Sequence, residues 1–194
     1  MDAVDIFHEI GYFSSENCHT LFKKAKLMGV PIKSHADEFN DNKGAVIACQ
    51  YDALSADHLL CTGPDGIEAL ANSDTVATLL PGTGFFLGKP QAFARAFLDN
   101  GCKVAIGSDY NPGSCHFDNI LFLAAIAAPQ YEMNIAELWS SITLNAAHAL
   151  GFRSQGAIAK GLKPRFSIFK TDCIDRITYN WGKNLAVPAD TILS

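Results

Sequence analysis

Thr75-Val76-Ala77-Thr78-Leu79-Leu80 is a nearly uninterrupted apolar run that stops at Pro81-Gly82. A second run, Val104-Ala105-Ile106-Gly107, stops at Ser108-Asp109. A strand with one solvated face alternates apolar and polar residues, whereas a strand covered on both faces of a parallel sheet is apolar throughout. The two runs therefore predict buried parallel strands.

Segments with helical periodicity separate these two strands from three earlier ones. Strands are expected at 3–7, 30–34 and near Ser55, and helices at 14–28, 43–51, 66–72, 90–100, 117–128 and 134–150. Asn134 followed by Glu137 matches a capping box at the start of the last helix. Strands that alternate with helices form βαβ units, so the predicted fold class is α/β with a parallel sheet.

The last forty or so residues have a different character. Short strands are expected at 157–160, 166–170 and 177–181. We therefore divide the chain into residues 1–151, which carry the alternating elements, and residues 152–194, which form a small C-terminal β element.

Composition excludes several classes of protein. The chain has 194 residues, 48% of them hydrophobic, and a net charge of −5, so it has a real core but no basic surface for nucleic acid. Its longest uncharged apolar run, residues 120–128, is about half as long as a membrane-spanning helix, so no membrane partner is expected. The six cysteines include no C-x-x-C pair, and no secretory signal is visible, so we expect free thiols in the cytoplasm.

Three polar residues of metal-ligating type fall where predicted strands end. They are His35, His58 and Asp109. Strand ends of a β/α barrel converge on one cavity, so these side chains are expected to meet. Imidazole and carboxylate groups suit zinc or iron(II), which predicts metal-assisted hydrolysis. Asp37 and Asp57 flank the histidines, and the sequence leaves open whether they orient them or serve as capping or solvated residues.

Several segments together resemble the imidazolonepropionases, a family of the amidohydrolase superfamily. They are Lys33-Ser34-His35-Ala36-Asp37-Glu38, Leu54-Ser55-Ala56-Asp57-His58-Leu59, Leu79-Leu80-Pro81-Gly82, Gly107-Ser108-Asp109-Tyr110-Asn111-Pro112-Gly113 and Thr143-Leu144-Asn145-Ala146-Ala147-His148-Ala149-Leu150-Gly151. The resemblance covers nearly the whole chain. It implies a partial TIM-type (β/α) barrel made of about strands four to eight, followed by part of an accessory β-sandwich domain.

The resemblance also assigns roles to individual residues. It makes His35 and Asp109 ligands of one divalent metal, zinc or iron, and Glu38 the proton-transferring carboxylate that also binds substrate. His58 would polarise the substrate carbonyl or orient the water. The pocket for the substrate and product would be lined by Asn111, Gly113 and Ser114.

The implied reaction opens the lactam ring of the small molecule 4-imidazolone-5-propanoate to give N-formimidoyl-L-glutamate, a step of histidine degradation. Homodimerisation is the general expectation for enzymes of this family.

One element of the family pattern is absent from the sequence. The family's first strand supplies an H-x-H pair to the metal, and this chain contains no H-x-H. We therefore expect the chain to need a missing N-terminal half or a partner chain and to be inactive alone. Two other readings stay open: a different amidohydrolase, such as a deaminase of cyclic amides or amidines, and a non-catalytic remnant.

Overall fold

Five strands form one parallel sheet in the computed structural model, which describes residues 3–181, 183 and 185–187. They are β1 (Phe7–His8), β2 (Lys33–Ala36), β3 (Ser55–His58), β4 (Val76–Leu79) and β5 (Val104–Ile106). Each strand pairs in parallel with the next one along the chain. This sequential order is that of a segment of a β/α barrel and confirms the predicted fold class.

Helices connect and follow the strands. They are α1 (Ser15–Leu27), α2 (Gly44–Gln50), α3 (Pro64–Ala71), α4 (Pro81–Leu87), α5 (Ala94–Leu98), α6 (Ile120–Gln130), α7 (Ile135–Ile142), α8 (Leu144–Ala149) and α9 (Asp175–Tyr179). The predicted capping box is confirmed: Asn134 accepts the amide of Glu137, whose side chain accepts the amide of Asn134.

One face of the sheet is lined by residues in a single register row. The row comprises Phe7, His35, Asp57, Thr78 and Ala105. Register partners on neighbouring strands point to the same face, so these residues lie side by side. Four of them, together with α8, surround a cavity of about 350 Å³.

The opposite face packs against the helices. Ala36, Ala56 and Ala77 lie on this face and are fully buried, and they belong to one core cluster with Phe22 of α1 and Leu123 of α6. Small side chains on the strands allow the helices to approach the sheet closely. The other face carries the register row and packs on α8 through Val76, Ala105 and Ala149, next to the polar residues His35, Asp57 and Thr78.

Helix α6 confirms the buried helix expected after β5. Its central residues, Leu123 to Ala127, are buried, and it contacts α4, α7, α9 and β5. Among the residues that the structure describes, no helix has both the length and the hydrophobicity required to span a bilayer.

Two helical predictions differ more than the others from the structure in their bounds. The helix expected at 134–150 is divided into α7 and α8 at Thr143, where φ is −126° and ψ is −85°. The Thr143 hydroxyl donates to the carbonyl of Trp139, a bond that competes with the helical backbone. The helix expected at 90–100 is confined to Ala94–Leu98.

The segment after β4, where the apolar run stops at Pro81-Gly82, forms α4. This helix begins at Pro81, a residue well suited to a first helical position. A Cβ on Gly82 would lie 2.6 Å from Cys115 Sγ, so this glycine permits close packing.

The C-terminal strands are not formed as predicted within the described residues. The segment 177–181 lies largely in α9, whose Ile177 and Thr178 are buried and which packs on α6, so tertiary burial overrides strand propensity. Residues 157–160 form no strand, and 166–170 contains a single antiparallel bridge, between Phe169 and Ala186. The division of the chain at residue 151 stays a prediction.

Candidate metal centre at the strand ends

The three residues of metal-ligating type that the sequence places at strand ends lie together. His35 is in β2, His58 ends β3, and Asp109 follows β5. Each offers one ligand atom, and these atoms all lie within 4.8 Å of one another. The ring centroids of His35 and His58 are 5.3 Å apart. The geometry therefore allows three ligands from this chain, whereas the family resemblance assigned only His35 and Asp109 to the metal.

Left-handed backbone shapes the strand ends. The φ angle is +79° at His58 and +51° at Asp109. Non-glycine residues rarely adopt positive φ, and those that do concentrate at functional sites. His58 is the register partner of Ala36, which faces the helices. The left-handed turn at His58 instead brings its ring to the side of the sheet that carries His35.

The ring of His35 is half-buried and contacts a carboxylate. His35 Nδ1 lies 2.9 Å from Asp5 Oδ2. Burial alone would lower the pKa of His35. The hydrogen bond and charge of Asp5 outweigh the effect of burial, and the charges of Asp57 and Asp109 add to them, so the pKa of His35 is raised.

His58 and Glu38 have opposite pKa shifts. Burial lowers the pKa of His58 to about 4, although the charge of Asp109 opposes this. Burial and the charge of Asp109 raise the pKa of Glu38 to about 7. His58 Nε2 lies 3.7 Å from Glu38 Oε2. A carboxyl group that titrates near neutral pH beside a neutral imidazole suits general acid–base chemistry.

Asp109 is positioned by a residue that the sequence analysis missed. Thr83 Oγ1 of α4 donates to Asp109 Oδ2 at 2.7 Å. The signal that could have found Thr83 is its place just beyond the end of β4, where the chemistry of a barrel gathers.

The loop after Asp109 is organised by the side chain of Asn111. Asn111 Oδ1 accepts the amides of Gly113 and Ser114, both at 2.8 Å. Its Nδ2 donates to the carbonyl of Asp109 at 2.7 Å and to Ser114 Oγ at 2.8 Å. The amide of Asn111 is thus used within the loop, and contact of these three residues with substrate stays a prediction.

The cavity of about 350 Å³ next to the register row is lined by only part of the predicted site. His35 and Asp109 line it, together with Asp57, Lys33 and Tyr110. The other predicted site residues lie outside its lining: Glu38, His58, Asn111, Gly113 and Ser114.

The two aspartates that flank the histidines have structural partners. Asp37 is fully buried and accepts the amides of Gly44 and Ala45 at 2.8 and 3.1 Å, so it caps α2. Asp57 accepts Ser55 Oγ at 2.6 Å and lies 3.4 Å from Lys33 Nζ. The alternative left open by the sequence is therefore resolved in favour of capping for Asp37.

Glu9 anchors the loop that carries Glu38. It is 2% exposed, and its Oε2 accepts the amides of Phe39 and Asn40 at 2.8 and 3.3 Å. Burial would raise the pKa of Glu9, but these hydrogen bonds outweigh it and the pKa is lowered. An ionised carboxylate thus holds the backbone next to Glu38.

The donor set fits a metal of intermediate hardness. Two imidazole nitrogens and a carboxylate oxygen are ligands of zinc and iron(II). A second set, Asp5, His35 and Asp57, is equally compact. It shares His35 with the first set, and Lys33 already pairs with Asp57, so the set that contains Asp109 is the better candidate.

Comparison with known proteins identifies the family of the chain. Residues 7–188 match the family model described as the amidohydrolase family. The chain belongs to the amidohydrolase family. Its curated relatives include the imidazolonepropionases of Staphylococcus saprophyticus and Staphylococcus aureus (strain JH9), each 41% identical over 186 residues. Both alignments cover 95% of this amidohydrolase chain and 45% of the relative, so the chain spans about half the length of these relatives. The resemblance to imidazolonepropionases is confirmed.

Solved structures share the fold. An adenosine deaminase from Xanthomonas campestris with bound zinc superimposes with a TM-score of 0.79 at 18% identity, over 95% of this chain and 49% of its own. The A. niger ochratoxinase superimposes with a TM-score of 0.77 at 14% identity, over 96% and 48%. At such identities the likeness concerns the fold, and it confirms that this amidohydrolase chain is a partial barrel.

Proposed function

We propose that this chain forms part of a metal-dependent hydrolase that opens the lactam ring of 4-imidazolone-5-propanoate and releases N-formimidoyl-L-glutamate, a step of histidine degradation. The proposal depends above all on one observation: ligand atoms of His35, His58 and Asp109 lie within 4.8 Å of one another. It is supported by the 41% identity to imidazolonepropionases over 95% of the chain.

His35 and Asp109 would hold the metal. When bound there, a zinc or iron ion supplies Lewis acidity toward water and the substrate carbonyl. Thr83 would keep the Asp109 carboxylate in one orientation through its 2.7 Å hydrogen bond.

Glu38 would move the proton. In lactam hydrolysis, water adds to the carbonyl carbon, the ring C–N bond breaks, and the leaving nitrogen takes up a proton. Glu38 accepts the proton of the attacking water and returns it to that nitrogen. His58, which burial keeps neutral, donates an N–H to the oxygen on which negative charge develops.

The remaining ligands would come from outside this sequence. The chain contains no H-x-H and spans about half the length of its relatives. We propose that an N-terminal half or a partner chain supplies the pair, that this chain alone is inactive, and that the assembled enzyme forms a homodimer. All six cysteines are free thiols, which is consistent with the reducing cytoplasm.

The test combines the 194-residue chain with the N-terminal half of the Staphylococcus saprophyticus imidazolonepropionase. Metal content and imidazolone hydrolysis are measured for the chain alone and for the mixture. We expect activity only in the mixture, lost in Asp109→Asn and kept in the control Asp99→Asn, an exposed residue paired with Arg95.

Two outcomes would overturn the proposal. The first is a metal-loaded mixture that leaves imidazolone intact but releases ammonia from a cyclic amidine, which indicates a deaminase. The second is a stable mixture that binds no metal and is inert toward both substrates, which indicates a non-catalytic remnant.

A further inference from the structure

A residue just before β1, the strand that pairs with the strand of His35, fixes the ring of this histidine. Asp5 precedes β1, and its Oδ2 lies 2.9 Å from His35 Nδ1. The other oxygen, Oδ1, accepts the backbone amide of Ile6 at 2.8 Å. Because both oxygens are engaged, the carboxylate has one orientation and the hydrogen bond to the ring has one direction.

The contact with Asp5 determines which ring nitrogen of His35 is available to bind a metal. A carboxylate accepts and does not donate, so Nδ1 carries the ring hydrogen. Nε2 is then left with a lone pair. A histidine that binds a metal generally donates its other ring N–H to a carboxylate or carbonyl, which fixes its tautomer and makes it a better ligand.

Asp57 does not serve this purpose, although it is the register partner of His35. Its Oδ1 accepts the hydroxyl of Ser55 at 2.6 Å. Its Oδ2 lies 3.4 Å from Lys33 Nζ. Both oxygens of Asp57 are therefore engaged away from the ring, and Asp5 is the carboxylate that contacts Nδ1.

We propose that Asp5 is a positioning residue that fixes the Nδ1–H tautomer and the ring orientation of His35, so that Nε2 faces the metal. The part of this proposal that concerns the metal rests on the proposed function. The part that concerns the tautomer does not require a metal.

The tautomer is read directly from the ring nitrogen shifts of ¹⁵N-labelled, metal-free chain by NMR, at a pH where His35 is neutral. We expect the Nδ1–H form in the wild type, loss of this preference in Asp5→Ala and its recovery in Asp5→Glu. The matched control is Asp99→Ala, which removes an exposed carboxylate paired with Arg95. A wild type in the Nε2–H form, or an Asp5→Ala variant with an unchanged tautomer, would overturn the proposal.

Zinc affinity is measured on the same variants by competition with a chromophoric chelator. We expect Asp5→Ala to bind zinc about 10- to 100-fold more weakly than the wild type, and Asp99→Ala to bind as the wild type does. Equal affinity in Asp5→Ala, with a circular dichroism spectrum like that of the wild type, would contradict the proposal. If the wild type binds no zinc, the proposed metal site fails, while the NMR result still decides whether Asp5 sets the tautomer.

Discussion

Glu38 and His58 face each other across neighbouring strand ends, with 3.7 Å between Glu38 Oε2 and His58 Nε2. Burial disfavours the charged form of each group, so the pKa of the acid is raised to about 7 and that of the base is lowered to about 4. At pH values between these two, the folded chain holds an uncharged carboxyl group beside an uncharged imidazole.

The first prediction concerns the pH dependence of stability. Glu38 has a raised pKa, so its stabilising contribution is fully present below its unfolded pKa of 4.5 and is lost as the pH rises through about 7. His58 has a lowered pKa, so folding is favoured above its unfolded pKa of 6.5 and this advantage is lost as the pH falls toward about 4. Between pH 4.5 and 6.5 the two effects oppose each other.

Substitution of either Glu38 or His58 alone removes one of the two opposing contributions to the pH dependence of stability. As the pH falls from about 7 to 4.5, we expect Glu38→Gln to lose stability relative to the wild type and His58→Gln to gain it, each by up to about 3 kcal/mol. The measurement is urea unfolding of the metal-free chain across this range. Two variants with parallel pH profiles would contradict the opposing shifts.

The second prediction concerns Asp37. It accepts the amides of Gly44 and Ala45 and the hydroxyl of Thr62, and it is fully buried. Removing the carboxylate leaves buried donors unsatisfied, so we expect Asp37→Ala to lower the free energy of unfolding by about 2–4 kcal/mol. Urea unfolding at pH 7 measures this loss.

The control for Asp37 separates hydrogen bonding from backbone strain. Its φ is +52°, a conformation that asparagine and glycine tolerate better than alanine. Asp37→Asn keeps one acceptor oxygen and should be less destabilised than Asp37→Gly, which keeps none. Equal stability of these two variants would show that the cap contributes little.

The third prediction concerns Gly44, the first residue of α2. A Cβ at this position would lie 2.8 Å from Ala36 Cβ and 3.0 Å from His8 Nδ1. These neighbours are buried, so we expect Gly44→Ala to destabilise the chain by about 1–3 kcal/mol. Thermal unfolding of the variant measures the effect.

Gly29 provides the comparison for Gly44. A Cβ there would meet nothing within 4 Å, but the φ of +66° is unfavourable for alanine. Gly29→Ala should therefore lose only about 1 kcal/mol, the cost of the left-handed conformation. A Gly44→Ala variant as stable as the wild type would mean that α2 can shift away from β2.

Much of the fold could be predicted because its signals are local. Apolar runs such as 76–80 mark buried strands and place the strand ends to within two residues; His35, expected just after a strand, lies inside β2. His35, His58 and Asp109 could be found together because parallel strands bring their carboxyl ends to one edge. The capping box is likewise a local signal, because Asn134 and Glu137 are three residues apart.

The remaining features depend on contacts between distant residues. The bond from Thr83 to Asp109 spans 26 residues, and that from Phe39 to Glu9 spans 30. Burial of Ile177 against α6 turns an expected strand into α9. The periodicity and the propensity of a segment cannot predict such contacts, because they depend on how distant segments pack in the folded chain.

The fourth prediction concerns Thr83, whose hydroxyl donates to Asp109 Oδ2 at 2.7 Å. Thr83→Val keeps the shape of the side chain but leaves the Asp109 carboxylate without this donor. Because such contacts orient metal-binding carboxylates, we expect zinc affinity to fall about 10-fold, whereas Thr83→Ser should keep it. Chelator competition measures the zinc affinity of both variants.

The stability of the metal-free chain should change little in Thr83→Val, since the freed carboxylate of Asp109 is half-buried and reaches water. A Thr83→Val variant that binds zinc as the wild type does would show that the Thr83 hydroxyl does not orient Asp109 for metal binding.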